Sequence, residues 1–552
     1  MTGRPLLLLL TLIACARPPV RVGPPSPRLA ATATAQRVVL LSFDGLGADA
    51  LAAQSDLPAF AALERDGASA RIIPVNPTAT STAHASILTG AQPQVHGIVA
   101  NRFHVAGTPP EQTTHGLQAE IEAETLVEAA RRQGKRVGAV PFPTVDARSP
   151  RRTADFGFAW TSALTSARVI HLTRSEFHRE WVPPTWTARP HRRVSYSPIM
   201  RARIEWSIPR KTRADVDVVG YDTTNDAAEN YDLFLIEAGE REIIPDGRGW
   251  FAVSTQTMDG LYGSWSRLLR ADPSLGDVAI YWGAISRTEA WPESYRAMLD
   301  AEIGFWPGEP DERRDTNIDT VVDQMNRLSD FLTHAQVLTI RRMPFDLLLA
   351  YQPQVDSASH THFGEPQVLR AAFTAADRGV AAIWATLDLE RDALVVTGDH
   401  GLAPIDTEVR MNRLLADHGF APRWRAFAAG NIAHLYRFDA TDDADAVIAM
   451  LNATGFFEEV TKKSAQAHRN SGDVVAYART NVLLSPSGDA PAVTKPASAA
   501  NHGALNVHRE LHTVLFAAGA GTPKGPLGEQ SQTRIARFVA QLLGIQPPSA
   551  AE

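Results

Sequence analysis

The chain has 552 residues, of which 44% are hydrophobic and 21% are charged, and its formal net charge is −7. This length suffices for one large domain with an insertion or for several modest domains. The negative net charge argues against a protein that binds nucleic acid through a basic surface. Downstream of the N-terminus there is no run of 18 or more apolar residues, so the sequence predicts no internal membrane span.

The first fifteen residues, MTGRPLLLLLTLIAC, are typical of an export signal, with Arg4 as the positive start and residues 6–13 as the apolar segment. The end of this segment resembles a bacterial lipobox, and Cys15 is the only cysteine in the chain. That resemblance implies lipidation of Cys15, a lipid anchor in a bacterial membrane, and a globular part that faces the periplasm or the cell exterior. Residues 16–36 are rich in Pro, Ala and Thr and predict a flexible tether.

From Arg37 onward the chain alternates between two apolar patterns. Continuous β-branched and apolar runs predict strands buried on both faces, and apolar residues at helical spacing predict the helices between them. This alternation indicates an α/β fold with a largely parallel sheet flanked by helices. The predicted strands are residues 37–43, 69–75, 136–142, 345–351, 393–397 and 513–518, and the predicted helices are residues 48–67, 125–132, 365–387, 444–452 and 530–543.

Two segments interrupt this alternation. In residues 160–343, strand-like pieces are joined by Pro- and Asp-rich turns, and nine of the eleven tryptophans lie between Trp160 and Trp306. We interpret this segment as an inserted β-rich or mixed domain whose tryptophans build its own core; an aromatic wall that faces a functional site is the alternative. Residues 404–499 form a second insertion or cap. The core is then assigned to residues 37–159, 344–403 and 500–545.

The stretch from residue 76 to residue 101, NPTATSTAHASILTGAQPQVHGIVAN, concentrates hydroxyl side chains. Taken alone, it is explained by a hydroxyl-rich loop that opens a buried helix. A hydroxyl is a poor nucleophile at neutral pH unless a base or a metal lowers its pKa. On this pattern alone, six hydroxyls are equal candidates for a nucleophile: Thr78, Thr80, Ser81, Thr82, Ser86 and Thr89.

Metal-ligand residue types follow three predicted strands and precede a fourth, at positions where loops at the carboxyl edge of a sheet form sites. Three carboxylates and three imidazoles suit zinc or a similar divalent ion better than magnesium alone. Six ligands divide into two three-ligand sites, and two metals can stabilise both the attacking and the leaving oxygen of a phosphoryl transfer. These residues are Asp44, Asp356, His360, Asp399, His400 and His502.

The motifs VVLLSFDG, PTATSTAHASILTG with HGIVAN, DSASH, TGDHG and NHG together resemble the nucleotide pyrophosphatase/phosphodiesterase family of the alkaline phosphatase superfamily. The resemblance implies an alkaline-phosphatase-like fold with Thr80 as nucleophile and metal ligand. It also implies that Asn101, 21 residues after Thr80, hydrogen-bonds a phosphoryl oxygen, and this spacing selects Thr80 among the six hydroxyls. The implied ligands are Asp44, Asp399 and His400 for the metal that activates Thr80, and Asp356, His360 and His502 for the second metal.

The chain departs from the family at informative positions. Nucleotide-cleaving members carry an aromatic residue directly after the nucleophile, where this chain has Ser81. A phosphomonoesterase relative carries a Lys-x-Arg pair after the strand that matches residues 136–142, and this chain offers only Arg148, Arg151 and Arg152 nearby. We therefore predict a two-zinc hydrolase that cleaves a small-molecule phosphodiester or pyrophosphate bond through a phospho-threonine intermediate. The alternatives are a phosphomonoesterase and a non-catalytic ligand-binding lipoprotein.

Overall fold

The structure is a computed structural model that describes residues 29–552 except 33, 110, 161–162, 181–193, 240, 310–316 and 440. The predicted signal peptide with Cys15, and residues 16–28 of the predicted tether, lie outside the described residues. The tether prediction extends too far, because Leu29 and Ala35 are buried and the Ala35 N–H donates to the carbonyl oxygen of Leu542. Among the described helices, none combines the length and the apolar composition needed to cross a bilayer.

A nine-stranded sheet forms the centre of the molecule, in the spatial order β5-β4-β3-β6-β1-β7-β8-β2-β9. Within the described sheet, β5 and β8 run antiparallel to the other strands, so the sheet is mostly parallel as predicted. The strands are β1 (Arg37–Phe43), β2 (Ala68–Ile73), β3 (Val137–Val140), β4 (Phe156–Ala159), β5 (Glu289–Trp291), β6 (Leu347–Gln352), β7 (Asp392–Gly398), β8 (Thr513–Gly519) and β9 (Gly525–Ser531).

Helices cover both faces of this sheet. Alternate residues of β1 face opposite layers: Val38 and Leu40 pack with α3, α5 and α12, and Val39 and Leu41 pack with α2, α6, α7 and α9. The described helices are α1 (Ala48–Ala52), α2 (Pro58–Asp66), α3 (Thr80–Thr89), α4 (Pro93–His96), α5 (Leu126–Arg132), α6 (Glu293–Glu302), α7 (Ile318–Arg342), α8 (Gln354–His362), α9 (Pro366–Trp384), α10 (Met411–Asp417), α11 (Ala444–Thr454) and α12 (Arg534–Leu542).

The first insertion consists of two five-stranded antiparallel sheets around a shared apolar core. Trp206 and Trp282 lie in that core, whereas Trp160 and Trp306 pack with the central sheet. One sheet contains His178–Arg179, Met200–Ile208, Thr212–Tyr221, Leu233–Ala238 and Arg241–Ile243, and the other contains Arg168–Leu172, Trp250–Thr257, Gly260–Ala271, Val278–Trp282 and Ser286–Arg287.

The insertion ends earlier than the predicted boundary at residue 343. Strand β5 pairs with β4 in the central sheet, and α6 and α7 pack on the face of that sheet through Tyr295, Leu328 and Leu332. The apolar face of α7 requires the sheet as its partner, because an amphipathic helix buries its apolar stripe against another layer. Residues 289–342 therefore belong structurally to the core.

The second insertion has its own apolar core, which includes Leu415, Leu435 and Val447. A four-stranded antiparallel sheet and a three-stranded sheet carry α10 and α11. The strands are Thr407–Arg410, Trp424–Ala429, Ile432–Arg437, Phe457–Lys462, Val474–Ala478, Val482–Ser485 and Val493–Thr494, and short pairs join Ala403–Pro404 to Ala500–Asn501 and Arg102–Phe103 to Thr114–His115.

Two predicted helices are shorter than expected. The helix predicted over residues 48–67 is divided into α1 and α2, because Pro58 begins α2 and lacks the N–H that a continuing helix would use. The helix predicted over residues 530–543 begins only at Arg534, since Gln530 and Ser531 belong to the edge strand β9. The predicted α/β class with a mostly parallel sheet and a β-rich insertion is confirmed.

Candidate active site

The six predicted metal ligands meet at one edge of the central sheet. Asp44 directly follows β1 and Asp399 directly follows β7, while Asp356 lies in the first turn of α8, just after β6. His502 lies in the segment before β8. Because β8 is antiparallel to its neighbours, its start lies at the edge where the parallel strands end.

The first cluster consists of Asp44, Asp399 and His400, all of which are buried. His400 Nε2 lies 3.2 Å from Asp399 Oδ2 and 3.5 Å from Asp44 Oδ1. These three atoms therefore converge on one position, as the ligands of a metal ion do. The structure brings together the three residues that were predicted to surround the activating metal.

The second cluster is built around Asp356 and His502, whose Oδ1 and Nε2 atoms are 3.8 Å apart. His360 Nε2 lies 3.3 Å from the other Asp356 oxygen, Oδ2. The His400 ring stacks on the His502 ring with 3.8 Å between centroids, so His400 lies between the two clusters. The structure thus places all six predicted ligands in one continuous group.

Backbone contacts orient the three imidazoles. A carbonyl oxygen can only accept a hydrogen bond, so each Nδ1 that contacts one carries the proton and leaves Nε2 as the ligand atom. Contacts of this kind commonly fix histidine ligands in metal sites. The Nδ1–oxygen distances are 3.0 Å from His360 to Ala500, 3.2 Å from His400 to Gly401 and 3.2 Å from His502 to Thr78.

In Asp44 and Asp399, one carboxylate oxygen accepts hydrogen bonds from the protein and the other faces the site. Tyr351 donates its hydroxyl to Asp44 Oδ2 at 2.5 Å, and the backbone N–H groups of Gly45 and His400 donate to Asp399 Oδ1. Among the described residues, no hydrogen-bond partner serves the buried atoms Asp44 Oδ1, Asp399 Oδ2 and Asp356 Oδ1. Buried carboxylate oxygens without partners are unfavourable unless a cation binds them, so these residues fit divalent metals.

The pKa shifts of the three carboxylates also fit a site that binds cations. Burial, followed by repulsion from Asp356, raises the pKa of Asp44 to about 8. Burial, followed by the charges of Asp44 and Asp356, raises the pKa of Asp399 well above its ordinary value. Burial also acts to raise the pKa of Asp356, but the neighbouring imidazoles of His360, His502 and His400 together outweigh it and hold that pKa below the usual range. Cations at this position would favour the ionised form of all three carboxylates.

Among the six candidate hydroxyls of residues 76–101, that of Thr80 contacts this group. Thr80 begins α3, and its Oγ1 lies 3.1 Å from His400 Nε2. The hydroxyls of Thr78, Ser86 and Thr89 are hydrogen-bonded to other protein groups. The tertiary structure therefore separates Thr80 from neighbours that the local sequence could not distinguish.

Asn101 lies beside the first turn of α3. Its side-chain oxygen accepts from the backbone N–H of Ser81 at 2.8 Å, which leaves its amide nitrogen as a hydrogen-bond donor. Gly116 covers Ser81 so closely that a Cβ on Gly116 would lie 2.5 Å from Ser81 Cβ. The position after Thr80, which carries an aromatic residue in nucleotide-cleaving relatives, is therefore closed here by a turn.

A cleft of about 430 Å³ adjoins this turn and has flat aromatic side chains in its wall. Its neighbours connect it to the metal-ligand group, because Phe142 packs edge-on against His84 and Trp160 packs edge-on against Tyr351. The lining residues are His115, Leu117, Gln118, Phe142, Pro143, Thr144, Val145, Asp146, Arg148, Trp160 and Glu289.

Of the three arginines that follow β3, only Arg148 lines the cleft. The buried Arg152 guanidinium bonds to both oxygens of Asp146 and to the carbonyl oxygens of two residues near Gly116. Arg151 pairs with Glu128. Arg151 and Arg152 therefore serve to hold loops, and neither replaces the phosphate-binding pair of a phosphomonoesterase.

Sequence reasoning did not assign roles to Tyr351, His84 or Ser42, although each contacts the site. Tyr351 is the fifth residue of β6 and Ser42 the sixth of β1, so their proximity to strand ends was the available signal. His84 follows Thr80 by one helical turn, a spacing that places the two side chains on the same face of α3.

The mostly parallel sheet, the insertion and the group of six candidate ligands are those expected of the alkaline phosphatase superfamily. A family model described as type I phosphodiesterase / nucleotide pyrophosphatase matches residues 38–238 and 264–505, which is more than half of the chain. The chain belongs to the type I phosphodiesterase / nucleotide pyrophosphatase family, which confirms the predicted family.

Individual relatives agree with this assignment. The chain is 29% identical over 179 residues to the bis(5'-adenosyl)-triphosphatase enpp4 of Xenopus laevis, and the match covers 31% of this chain and 35% of that protein. The chain thus matches about a third of the length of this relative. Murine ectonucleotide pyrophosphatase / phosphodiesterase 5 has a similar fold, with a TM-score of 0.52, 13% identity and coverage of 93% of this chain and 96% of that one. An inactive variant of the murine protein in complex with AMP gives a TM-score of 0.53 at 13% identity and the same coverage.

Proposed function

We propose that this protein is a two-metal phosphodiesterase or nucleotide pyrophosphatase that acts through a phospho-threonine intermediate. The observation that carries the proposal is the contact between Thr80 Oγ1 and His400 Nε2, at 3.1 Å, where His400 joins the Asp44–Asp399 cluster to the Asp356–His502 cluster. Mixed nitrogen and oxygen ligands favour zinc. Zinc bound there would lower the pKa of the threonine hydroxyl and neutralise the charge that develops on the phosphoryl group.

In the proposed reaction, Thr80 attacks the phosphorus and Asn101 stabilises the charge on the phosphoryl group. The Thr80 oxygen forms a bond to phosphorus while the bond to the leaving oxygen breaks, and the phosphoryl group remains on Thr80. The proton of the hydroxyl passes to solvent, and the leaving oxygen takes a proton from solvent. The amide nitrogen of Asn101 donates to a non-bridging oxygen, a preorganised contact that strengthens as charge develops. Water then attacks the same phosphorus and releases Thr80.

The cleft beside the turn that covers Ser81 supports a substrate with a flat aromatic group, such as a nucleoside. Trp160 and His115 offer ring surfaces in its wall, and aromatic rings stack on such surfaces. The Xenopus relative is named for a dinucleoside triphosphate, and the murine neighbour binds AMP. We therefore propose nucleotide phosphodiester or pyrophosphate bonds as the substrate class.

Replacing Thr80 by Ala tests this proposal. We expect Thr80→Ala to lose turnover of bis-p-nitrophenyl phosphate and p-nitrophenyl thymidine monophosphate while retaining zinc, because the carboxylates and imidazoles remain. Zinc content is measured by mass spectrometry on the purified protein. Thr82→Ala is the matched control, since its hydroxyl is buried without a partner among the described residues and should not affect turnover.

Three outcomes would contradict the proposal. Turnover by Thr80→Ala would remove the nucleophile assignment. A large preference of the unaltered enzyme for p-nitrophenyl phosphate over the diesters would identify a phosphomonoesterase. Protein that binds no zinc, manganese or iron and hydrolyses none of these substrates would be the non-catalytic binding protein considered above.

A further inference from the structure

His84 forms a bridge between the proposed nucleophile and the strand that carries a proposed ligand. It lies one helical turn after Thr80 in α3 and is fully buried. Its Nδ1 lies 2.9 Å from the carbonyl oxygen of Thr80, and its Nε2 lies 3.0 Å from the hydroxyl of Ser42. Ser42 precedes Asp44 by two residues at the end of β1.

The partners of His84 determine which atom donates in each bond. The Thr80 carbonyl can only accept, so Nδ1 carries the proton. Nε2 of the neutral ring is then an acceptor, and the Ser42 hydroxyl donates to it. Ser42 therefore donates to His84, and His84 in turn donates to the carbonyl oxygen of Thr80.

The same N–H group of His84 also approaches a proposed metal ligand. Nδ1 lies 3.4 Å from Asp399 Oδ2, the oxygen that has no hydrogen-bond partner among the described residues. The rings of Phe142 and Tyr351 pack edge-on against the imidazole, each at 5.4 Å between centroids, and restrict its rotation. His84 is thus held in a single orientation between the nucleophile residue and Asp399.

We propose that His84, oriented by Ser42, is a positioning residue that fixes the first turn of α3 and the Asp399 carboxylate relative to each other. Catalytic groups must be held within a fraction of an ångström of their productive arrangement, so loss of this bridge misplaces the Thr80 hydroxyl. The consequence for turnover rests on the proposed function. The consequence for zinc affinity requires only that the cluster around Asp399 binds zinc, and not that the protein hydrolyses phosphodiesters.

His96 provides a matched comparison in the same part of the fold. It is also fully buried, and its Nε2 lies 2.9 Å from the hydroxyl of Ser86 on α3. Its Nδ1 accepts from the N–H of Ile98, so this ring also makes two hydrogen bonds. His96 makes neither of them to Thr80 or Asp399. Removing either imidazole therefore removes similar packing, but only the removal of His84 removes a contact with Thr80 and Asp399.

The experiment compares His84→Ala, His84→Asn and His96→Ala by melting temperature, by kcat and KM on bis-p-nitrophenyl phosphate, and by zinc affinity of the metal-free protein against a chromophoric chelator. For His84→Ala we expect kcat and zinc affinity to fall about 10- to 100-fold with KM little changed, as when a group that orients a ligand is removed. His84→Asn keeps an N–H donor near the Nδ1 position and should recover part of both losses.

His96→Ala should lower the melting temperature by an amount similar to His84→Ala while zinc affinity stays at the level of the unaltered protein. Equal losses of kcat and zinc affinity in the two alanine variants, or no recovery in His84→Asn, would overturn the positioning role. If His84→Ala does not fold, Ser42→Ala replaces it, with a smaller loss of both quantities expected and no loss contradicting the role. If the unaltered protein hydrolyses no phosphodiester, the proposed function fails, and the zinc affinities still decide the role of His84.

Discussion

At the scale of single residues, the site shows how identical side chains acquire different roles from their partners. Thr78 and Thr80 are two residues apart, yet the Thr78 hydroxyl donates to the carbonyl oxygen of Ala504 while Thr80 Oγ1 faces His400. A hydroxyl that donates to a buried carbonyl would lose that hydrogen bond if it acted as a nucleophile. Thr78 is therefore suited to hold the loop, and Thr80 is left for chemistry.

Asn101 is a second residue whose role depends on one contact. Asn101→Ala removes the proposed donor to a phosphoryl oxygen, so we expect kcat/KM for bis-p-nitrophenyl phosphate to fall about 100-fold, the usual effect of losing one preorganised donor. Steady-state kinetics at saturating zinc measure this change. Asn101→Asp keeps an oxygen for the Ser81 N–H but replaces the donor with a negative charge, and it should be at least as impaired. An active Asn101→Asp enzyme would exclude the proposed role of the amide nitrogen.

At the scale of elements, the start of α3 is enclosed by a turn from another part of the chain. The short 3₁₀ helix Gly116–Gln118 covers Ser81, and Gly116 is required because a Cβ there would lie 2.5 Å from both Ser81 Cβ and the carbonyl oxygen of Ala100. This packing explains why Ser81 is small. The same turn contributes Leu117 and Gln118 to the wall of the cleft, in which Trp160 comes from another part of the chain.

Substitutions at Ser81 test this enclosure. Ser81→Phe places a ring in the space that the turn occupies, and we expect the free energy of unfolding to fall by about 1–3 kcal/mol, as overpacking of a core does. Ser81→Ala is the matched control. The Ser81 hydroxyl is buried with no partner among the described residues, so its removal should leave stability unchanged or slightly higher. Urea unfolding measures the stability of both variants. A Ser81→Phe protein as stable as the unaltered one would show that the turn moves to accommodate the ring.

At the scale of the whole molecule, the second insertion holds the loop that leads from α4 to Asn101. His434 donates from Nε2 to the carbonyl oxygen of Val99 at 3.2 Å, and Asn470 donates to the carbonyl oxygen of Gly97 at 3.0 Å. The second insertion therefore holds the loop that carries Asn101 into the candidate site. Disturbing its attachment reaches the site through this loop.

His434 makes that attachment sensitive to acid. Burial lowers its pKa to about 4, from 6.5 for an ordinary histidine. A lowered pKa means that its contribution to stability is present above pH 6.5 and is lost as the pH falls toward 4. Between pH 7 and pH 5 we expect a loss of about 2 kcal/mol from this residue. Urea unfolding at both pH values should show a smaller decline for His434→Asn, and parallel declines for the two proteins would contradict this account.

Local sequence patterns were sufficient to predict much of the core. The apolar run of Arg37–Phe43 and the flanking turn at Asp44 predicted β1 and a ligand at its end, because strand burial and turn chemistry are local properties. The predicted strand over residues 513–518 agrees with β8 (Thr513–Gly519) to within one residue for the same reason. Edge strand β9 was missed because GPLGEQS has no apolar alternation. It is stabilised by pairing with β2, which only the folded chain provides.

The sequence by itself determined the α/β class, the family and the six residue types that meet at the sheet edge, since each follows from local patterning and motif spacing. The tertiary structure decided what depends on contacts between distant segments. It joined residues 289–342 to the core, closed the position after Thr80 with Gly116, and directed each imidazole Nε2 into the site through a carbonyl partner. It also placed Asp399 beside His84, a contact that the helical spacing of Thr80 and His84 does not reveal.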